Sequence, residues 1–265
     1  MTGSASQFVG SIPENYDTGL GPNIFHDYAD DLARRAGASG AASVLELAAG
    51  TGIVSRKLCD ALAPEARLVV TDLNPPMLDR AAAMQPAPDD IEWLPANALD
   101  LPLDDDEFDA VVCQFGCMFF PDRVKAYSEA RRVLRPGGTF VYSMWDRIEE
   151  NDFANVVTTA LAGMHPNNPP RFLSRTPHGH YDTGVYVKEL VAAGFSDISV
   201  EPLDAVSSAS SSVIPAVAYC QGTPLRNEIE DLDPGGLGRA TDHAAGTLAS
   251  RFGEGRIRAF VITVR

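Results

Sequence analysis

The chain has 265 residues, 45% of them hydrophobic, and its 21 lysines and arginines against 36 aspartates and glutamates leave a formal charge of −15. A core of that size excludes wholesale disorder, and the negative field disfavours a nucleic-acid partner, whose phosphates are bound through clustered Lys and Arg that this sequence does not show. No apolar run reaches the roughly 18 to 20 residues of a membrane helix, and the start MTGSASQFVGSIPENYD has neither a basic end nor an apolar signal segment, so a cytoplasmic protein without a membrane span is expected.

In chain order, residues 11–37 end in an amphipathic stretch whose Ile24, Tyr28 and Leu32 share a face, which predicts an N-terminal helical lid or brace within residues 1–40. Strands are expected at 43–48, 67–72, 91–96, 108–115 and 139–145, alternating with helical patterns, which is the signature of βαβ units and a parallel sheet. Between the first two strands, Ser55, Leu58 and Leu62 fit a helix that Pro64 stops. The next helix starts at Pro75 with Asn74 as its N-cap, and Asp122 caps a third that ends before Arg135-Pro136-Gly137-Gly138, where the chain turns into its next strand.

Residues 146–185 are rich in Pro, Asn and His and read as a long irregular insertion of functional character. A helix over 185–194 ends at Gly194, a strand follows at 197–203, and the Ser-rich 207–213 reads as a loop within the domain. The final strand, 257–264, is apolar on both faces in its second half and so expected inside the sheet. The whole, 1–265, reads as one domain: lid 1–40, ligand-binding core 41–145, substrate-side insertions and sixth strand 146–256, and C-terminal strand 257–265. Cys59, Cys113, Cys117 and Cys220 are too few and scattered for a disulfide framework, and the pair in VVCQFGCMFF reads as buried hydrophobes.

The chemistry concentrates first in Val44-Leu45-Glu46-Leu47-Ala48-Ala49-Gly50-Thr51-Gly52, a strand running into a glycine turn and then a helix. Glycines there let backbone approach a ligand, and the helix start offers N–H groups. Ser55 stands where a dinucleotide fold has its third glycine, and there is no GK[ST] phosphate loop, so the turn suits a nucleoside-like ligand without a pyrophosphate. Asp72, at the end of the second strand, is placed either to accept from vicinal ribose hydroxyls or to cap the following turn. Its pairing with the Gly50–Gly52 turn favours the ribose.

VLELAAGTG, VVTDLNPPMLDRA, ANALDLPLDDDEFDAVVCQFGCMFFPD and ARRVLRPGGTFVYSMW, in this order and spacing over about residues 40–145, resemble the class I S-adenosylmethionine-dependent methyltransferases, in particular their ubiquinone/menaquinone-biosynthesis-like branch. The resemblance implies a doubly wound α/β fold, Rossmann-like, with a seven-stranded, mostly parallel sheet whose last strand is antiparallel. It implies S-adenosylmethionine as cofactor, S-adenosylhomocysteine as product and a small-molecule methyl acceptor. Carried over, Glu46, Ala48, Ala49, Gly50, Thr51 and Gly52 would hold the methionine part, with Ala48 in place of the motif's first glycine. Asp72 would hold the ribose, Leu73 and Met77 the adenine face, and Asn97 and Ala98, where the family has Asp-Ala, the adenine amino group. Gln114 and Phe115 would line the methyl region, and Tyr16, Phe25 and Tyr28 are candidates for closing over the cofactor by cation–π attraction.

Transfer of a methyl from a sulfonium needs alignment above all, and a base only where the acceptor must lose a proton. His26, His165, His178, His180 and His243 are all available for that, and none belongs to a shared motif. His178, His180 and Asp182 fall short of a metal site and read as loop or substrate-pocket wall, and no metal is expected. The acidic clusters 104–107 and 228–233 read as solvated loops. Two other functions remain open at this stage, an NAD-dependent oxidoreductase on a similar sheet and a non-catalytic, cofactor-binding regulatory protein.

Overall fold

The computed structural model describes residues 12–85, 91–251 and 254–265; residues 1–11 of the expected lid, 86–90 of the expected core and 252–253 of the expected insertions lie outside the described residues. Along the chain run α1 (Ile12–Gly19), a π-helical turn (Gly21–Phe25), α2 (His26–Ala38), β1 (Ser43–Glu46), α3 (Ile53–Ala61), β2 (Arg67–Asp72), α4 (Pro75–Ala83), β3 (Ile91–Pro95) and β4 (Phe108–Gln114). There follow α5 (Arg123–Val133), β5 (Leu134–Trp145), α6 (Asp152–Met164), α7 (Phe172–Arg175), α8 (Thr183–Ala192), β6 (Ile198–Ser208), α9 (Val213–Gln221), α10 (Leu225–Leu232), α11 (Leu237–Ala249) and β7 (Glu254–Val264).

The seven strands form one sheet in the order β3-β2-β1-β4-β5-β7-β6. The first five pair in parallel, and β7 lies antiparallel to both β5 and β6, as the resemblance implies. Period-two alternation divides the core: Val44, Val70 and Val112 pack on one face with Ala29, Ala33 and Leu58, while Leu45, Val69 and Val111 pack on the other with Phe108, Tyr127 and Tyr142. The strand order reverses between β1 and β4, which opens a crevice beyond their C-terminal ends.

Several boundaries differ from the sequence expectation for identifiable reasons. β1 stops at Glu46 because Ala48 turns left-handed (φ 51°), and β4 stops at Gln114 because Phe115 does the same (φ 52°). β5 begins at Leu134: Phe108 pairs with Leu134 and Ala110 with Thr139, so Arg135–Gly138 forms a bulge inside the strand instead of a turn before it. The segment 146–185 is not an irregular insertion but contains the helices α6 and α7. β6 extends to Ser208 through the start of the Ser-rich stretch, because β7 pairs with it along its whole length.

Asp122 caps α5 by accepting from Lys125 N at 2.9 Å, whereas Asn74 makes no side-chain cap on α4. Nor are the acidic clusters simply solvated. Glu228 lies in α10 and accepts from the backbone N–H groups of Arg171 (2.7 Å) and Phe172 (2.9 Å) and from the Arg175 guanidinium, holding the start of α7. In the other cluster, Glu107 pairs with Arg67 and Asp105 with Arg132. Among the described residues no helix is long and apolar enough to cross a membrane.

Candidate active site

The crevice at the strand-order reversal holds a cavity of about 750 Å³, walled by the turn after β1, the end of β2 and the turn after β4. The β1 turn owes its shape to three consecutive left-handed positions at alternate residues, Ala48, Gly50 (φ 58°) and Gly52 (φ 79°). At Gly50 a Cβ would meet only Tyr16 Cε1, at 4.0 Å, so its absence keeps that part of the wall open. At Gly52 a Cβ would lie 2.8 Å from Ala81 Cβ, so this glycine serves the packing of α3 against α4.

Asp72 sits at the cavity with 6% exposure. Its Oδ2 accepts from the Gly50 N–H at 2.9 Å, and its Oδ1 accepts from Asn74 N at 2.8 Å and Asn74 Nδ2 at 3.1 Å. Asp72 thus holds the following turn while its carboxylate borders the cavity. Burial raises its pKa, against the lowering effect of those hydrogen bonds. Each carboxylate oxygen can accept twice, so Oδ1 is filled and Oδ2 keeps one lone pair for a further donor.

Glu46 is 1% exposed and accepts from Ser55 Oγ at 2.6 Å. Ser55, which stands at the third-glycine position of a dinucleotide turn, is thus occupied in holding an acid beneath the loop. Burial pushes Glu46 up to about 8, with the Ser55 bond and Arg56 opposing and Asp72 reinforcing the rise. Glu46 lines a smaller cavity of about 320 Å³ with Ala49 and Thr51, and this cavity shares Tyr16, Ala48, Gly50, Gln114 and Phe115 with the main one.

Leu73, Met77, Asn97 and Ala98 all line the main cavity. Leu73 is 48% exposed, while Met77 is buried against Tyr16 and Phe119. Asn97 Oδ1 accepts from Leu99 N at 3.0 Å. Gln114 donates from Nε2 to the Phe25 carbonyl at 3.3 Å, while its buried Oε1 has no partner among the described residues. A buried carbonyl left in that condition is a natural acceptor for a ligand cation.

A second cavity, of about 530 Å³, lies beyond Tyr16, Phe115 and Phe119, which wall both. Phe115 stacks flat on Trp145, with ring centroids 3.7 Å apart and planes 4° from parallel. Tyr16 packs on Phe25 at 5.2 Å, and Phe25 lines the second cavity. Tyr28 does not reach any of these cavities. It is fully buried, edge-on to Phe115 and Trp145, and donates to the Leu203 carbonyl at 3.3 Å, so its place is in the brace. Gly52 likewise stands apart from the cavity linings.

The histidines separate clearly. His26 is exposed beside Asp27 and Asp30, His180 faces Arg123, and only His178 among the five lines one of these cavities. His178 Nδ1 lies 2.9 Å from the Asp146 carbonyl oxygen. Burial holds its pKa down to about 4. Asp182 caps α8 by accepting from Gly184 N at 2.9 Å, so the three residues considered for a metal are divided among separate tasks. Among the described residues no group of three or more His, Cys, Asp or Glu is placed to hold a metal ion.

Sequence reasoning missed Phe119, Phe120 and Pro121 on the main cavity and Trp145, Asn151, Tyr219 and Thr223 on the second. The Phe-Phe-Pro run follows β4 directly and was available as a signal. The others come from segments far apart in the chain.

The family described as "Methyltransferase domain" matches residues 45–142. An uncharacterized protein of Mycobacterium tuberculosis is 34% identical over 170 residues, which cover 63% of this chain and 58% of that protein. The chain therefore spans less than two thirds of that relative's length. A ubiquinone/menaquinone biosynthesis C-methyltransferase of Brucella abortus is 36% identical over 108 residues, 40% of each chain. The fold is shared with a phosphoethanolamine N-methyltransferase of Haemonchus contortus solved with S-adenosyl-L-methionine, at a TM-score of 0.62 and 16% identity over 98% of this chain and 58% of that one.

Proposed function

With residues 45–142 belonging to the class I S-adenosylmethionine-dependent methyltransferases of the ubiquinone/menaquinone-biosynthesis-like type, we propose that the chain methylates a small-molecule acceptor held in the second cavity. The observation on which this rests is Asp72, a buried carboxylate beside an open glycine turn at the strand-order reversal, in a largely apolar crevice. S-adenosylmethionine, when bound, supplies a methyl group on a positively charged sulfur.

The residues present fit such a cofactor. Asp72 retains a lone pair on Oδ2 for a ribose hydroxyl, and its hydrogen bonds to Gly50 and Asn74 fix the direction in which it presents it. Leu73, Met77 and Phe119 offer apolar surface to a purine face, with Asn97 at its edge. The unpartnered Gln114 Oε1 suits the ammonium of an amino-acid moiety. Tyr16, Phe25 and Phe115 present aromatic rings toward the junction of the cavities, where they favour a sulfonium and keep water from it. The chain's contribution to rate is then alignment and desolvation.

The test is turnover with methyl-labelled S-adenosylmethionine and a fractionated extract of small apolar metabolites. Label is expected in an organic-extractable product with an equal amount of S-adenosylhomocysteine. Cofactor binding with no label transferred to any fraction would instead describe a binding protein.

A further inference from the structure

The second cavity is lined on most sides by apolar groups, among them Leu20, Ile24, Phe25, Met118, Phe172 and Leu173, and among the described residues none that line it is Lys, Arg, Asp or Glu. A charged acceptor group would be stranded there without a counter-charge. Its polar side chains lie on Tyr16, Asn151, His178, Tyr219 and Thr223. Asn151 is committed to structure: Nδ2 donates to the carbonyls of Asp146 and Arg147, and Oδ1 accepts from Arg258 N. Thr223 Oγ1 donates to the Tyr219 carbonyl and accepts from Leu225 N.

His178 and Tyr219 differ from these two. A carbonyl can only accept, so the contact with the Asp146 oxygen places the ring proton of His178 on Nδ1 and leaves the Nε2 lone pair unused. Trp145, 5.7 Å away ring to ring, fixes one side of the imidazole. The Tyr219 hydroxyl makes no hydrogen bond among the described residues, although the residue is only 6% exposed. One cavity thus holds an acceptor nitrogen and a donor hydroxyl, both inside apolar walls and both without a partner among the described residues.

We propose that this cavity takes an uncharged, largely apolar acceptor bearing a hydroxyl group, phenolic or enolic in type, with His178 Nε2 as the base and Tyr219 as the donor that orients the oxygen. The proposal rests on the methyltransferase reading. The hydroxyl proton passes to Nε2 as an oxygen lone pair forms the bond to the methyl carbon, and the carbon–sulfur bonding pair stays on sulfur. The products are a methyl ether, S-adenosylhomocysteine and an imidazolium that returns its proton to water as the ether leaves. The charged groups that act on His178 are Asp146, whose backbone also receives Nδ1–H, and Glu149, both favouring the imidazolium against burial, and from α9 the neutral Tyr219 faces the same space.

The probes are 2-naphthol and its anionic analogue 2-naphthoate, titrated into the protein saturated with S-adenosylhomocysteine. The naphthol should bind at least about tenfold more tightly than the naphthoate, because the carboxylate gains no counter-charge. His178→Phe and Tyr219→Phe should each weaken naphthol by about fivefold or more while leaving the S-adenosylhomocysteine affinity unchanged. His178→Gln, which keeps an acceptor but no useful base, should hold naphthol within about threefold of the parent yet transfer labelled methyl to it about a hundredfold more slowly. Naphthoate binding as tightly as naphthol, no naphthol binding to the loaded protein, or His178 variants that match the parent in both affinity and rate would overturn the proposal. Failure of S-adenosylhomocysteine to bind the parent would instead remove the methyltransferase reading beneath it.

Discussion

Asp72 and Gly50 are joined by a hydrogen bond of 2.9 Å from the Gly50 amide to the carboxylate, so the end of β2 fixes the glycine turn of β1 across the floor of the main cavity. One side chain therefore both shapes the turn and borders the cavity. Asp72→Ala should weaken S-adenosylhomocysteine binding by about tenfold or more, since the ribose loses a charged acceptor at roughly 1.5 to 3 kcal/mol. Unchanged affinity in the folded variant would remove Asp72 from the ribose.

The left-handed Ala48 lies against Gly116. A Cβ on Gly116 would approach Ala48 Cβ to 2.5 Å and Cys113 Sγ to 2.7 Å, so Gly116→Ala should destabilise the fold by about 1 to 3 kcal/mol. Ala48→Gly removes one of those clashes and relieves about 1 kcal/mol of left-handed strain. Added to Gly116→Ala, it should restore part of the loss in urea unfolding. Strict additivity of the two substitutions would mean that the turns after β1 and β4 do not bear on each other.

Glu46 predicts a pH dependence with a defined sign. The folded chain keeps a proton on it up to about pH 8, while in the unfolded chain it ionises near 4.5, so its contribution is complete below 4.5 and is lost as pH rises toward 8. His178, held down from 6.5 to about 4, acts oppositely, contributing fully above 6.5 and losing that contribution as pH falls toward 4. The clean window is therefore pH 6.5 to 8. Across it the parent should lose up to about 2 kcal/mol that Glu46→Gln does not. Parallel stability curves for the two proteins would show that Glu46 is already ionised in the fold.

Glu228 reaches from α10 to the free N–H groups at the start of α7, whose Phe172 and Leu173 wall the second cavity. Glu228→Ala should cost about 1 to 2 kcal/mol of stability. It should weaken acceptor binding while leaving S-adenosylhomocysteine binding as in the parent. A loss of both affinities together would mean that the two cavities are not separable in this way.

The lining of the main cavity was legible in sequence because its parts are local. Each strand of 43–114 is followed at once by its own turn, so Gly50 and Asp72 could be placed from their spacing and Glu46, Asn97 and Gln114 from the resemblance. Tyr28 misled because a helical face gives no sign of which buried surface it meets, and here it met Trp145 in place of the cavity. The second cavity was not legible. Leu20, Trp145, His178 and Tyr219 come from separate segments, and the α1–α9 packing that brings Leu20 to Tyr219 joins segments more than a hundred residues apart with no periodicity of its own. The helices of 152–175 were hidden for a related reason: the Pro, Asn and His that suggested an irregular stretch lie mostly in the connections around α7.

The central claim is that the crevice beside Asp72 holds S-adenosylmethionine, and calorimetric titration of the purified chain with S-adenosylhomocysteine tests it most directly. The account predicts saturable binding at one site per chain, weakened about tenfold or more by Asp72→Ala. A folded parent protein that releases or absorbs no heat of binding, and whose melting temperature S-adenosylhomocysteine does not raise, would contradict it.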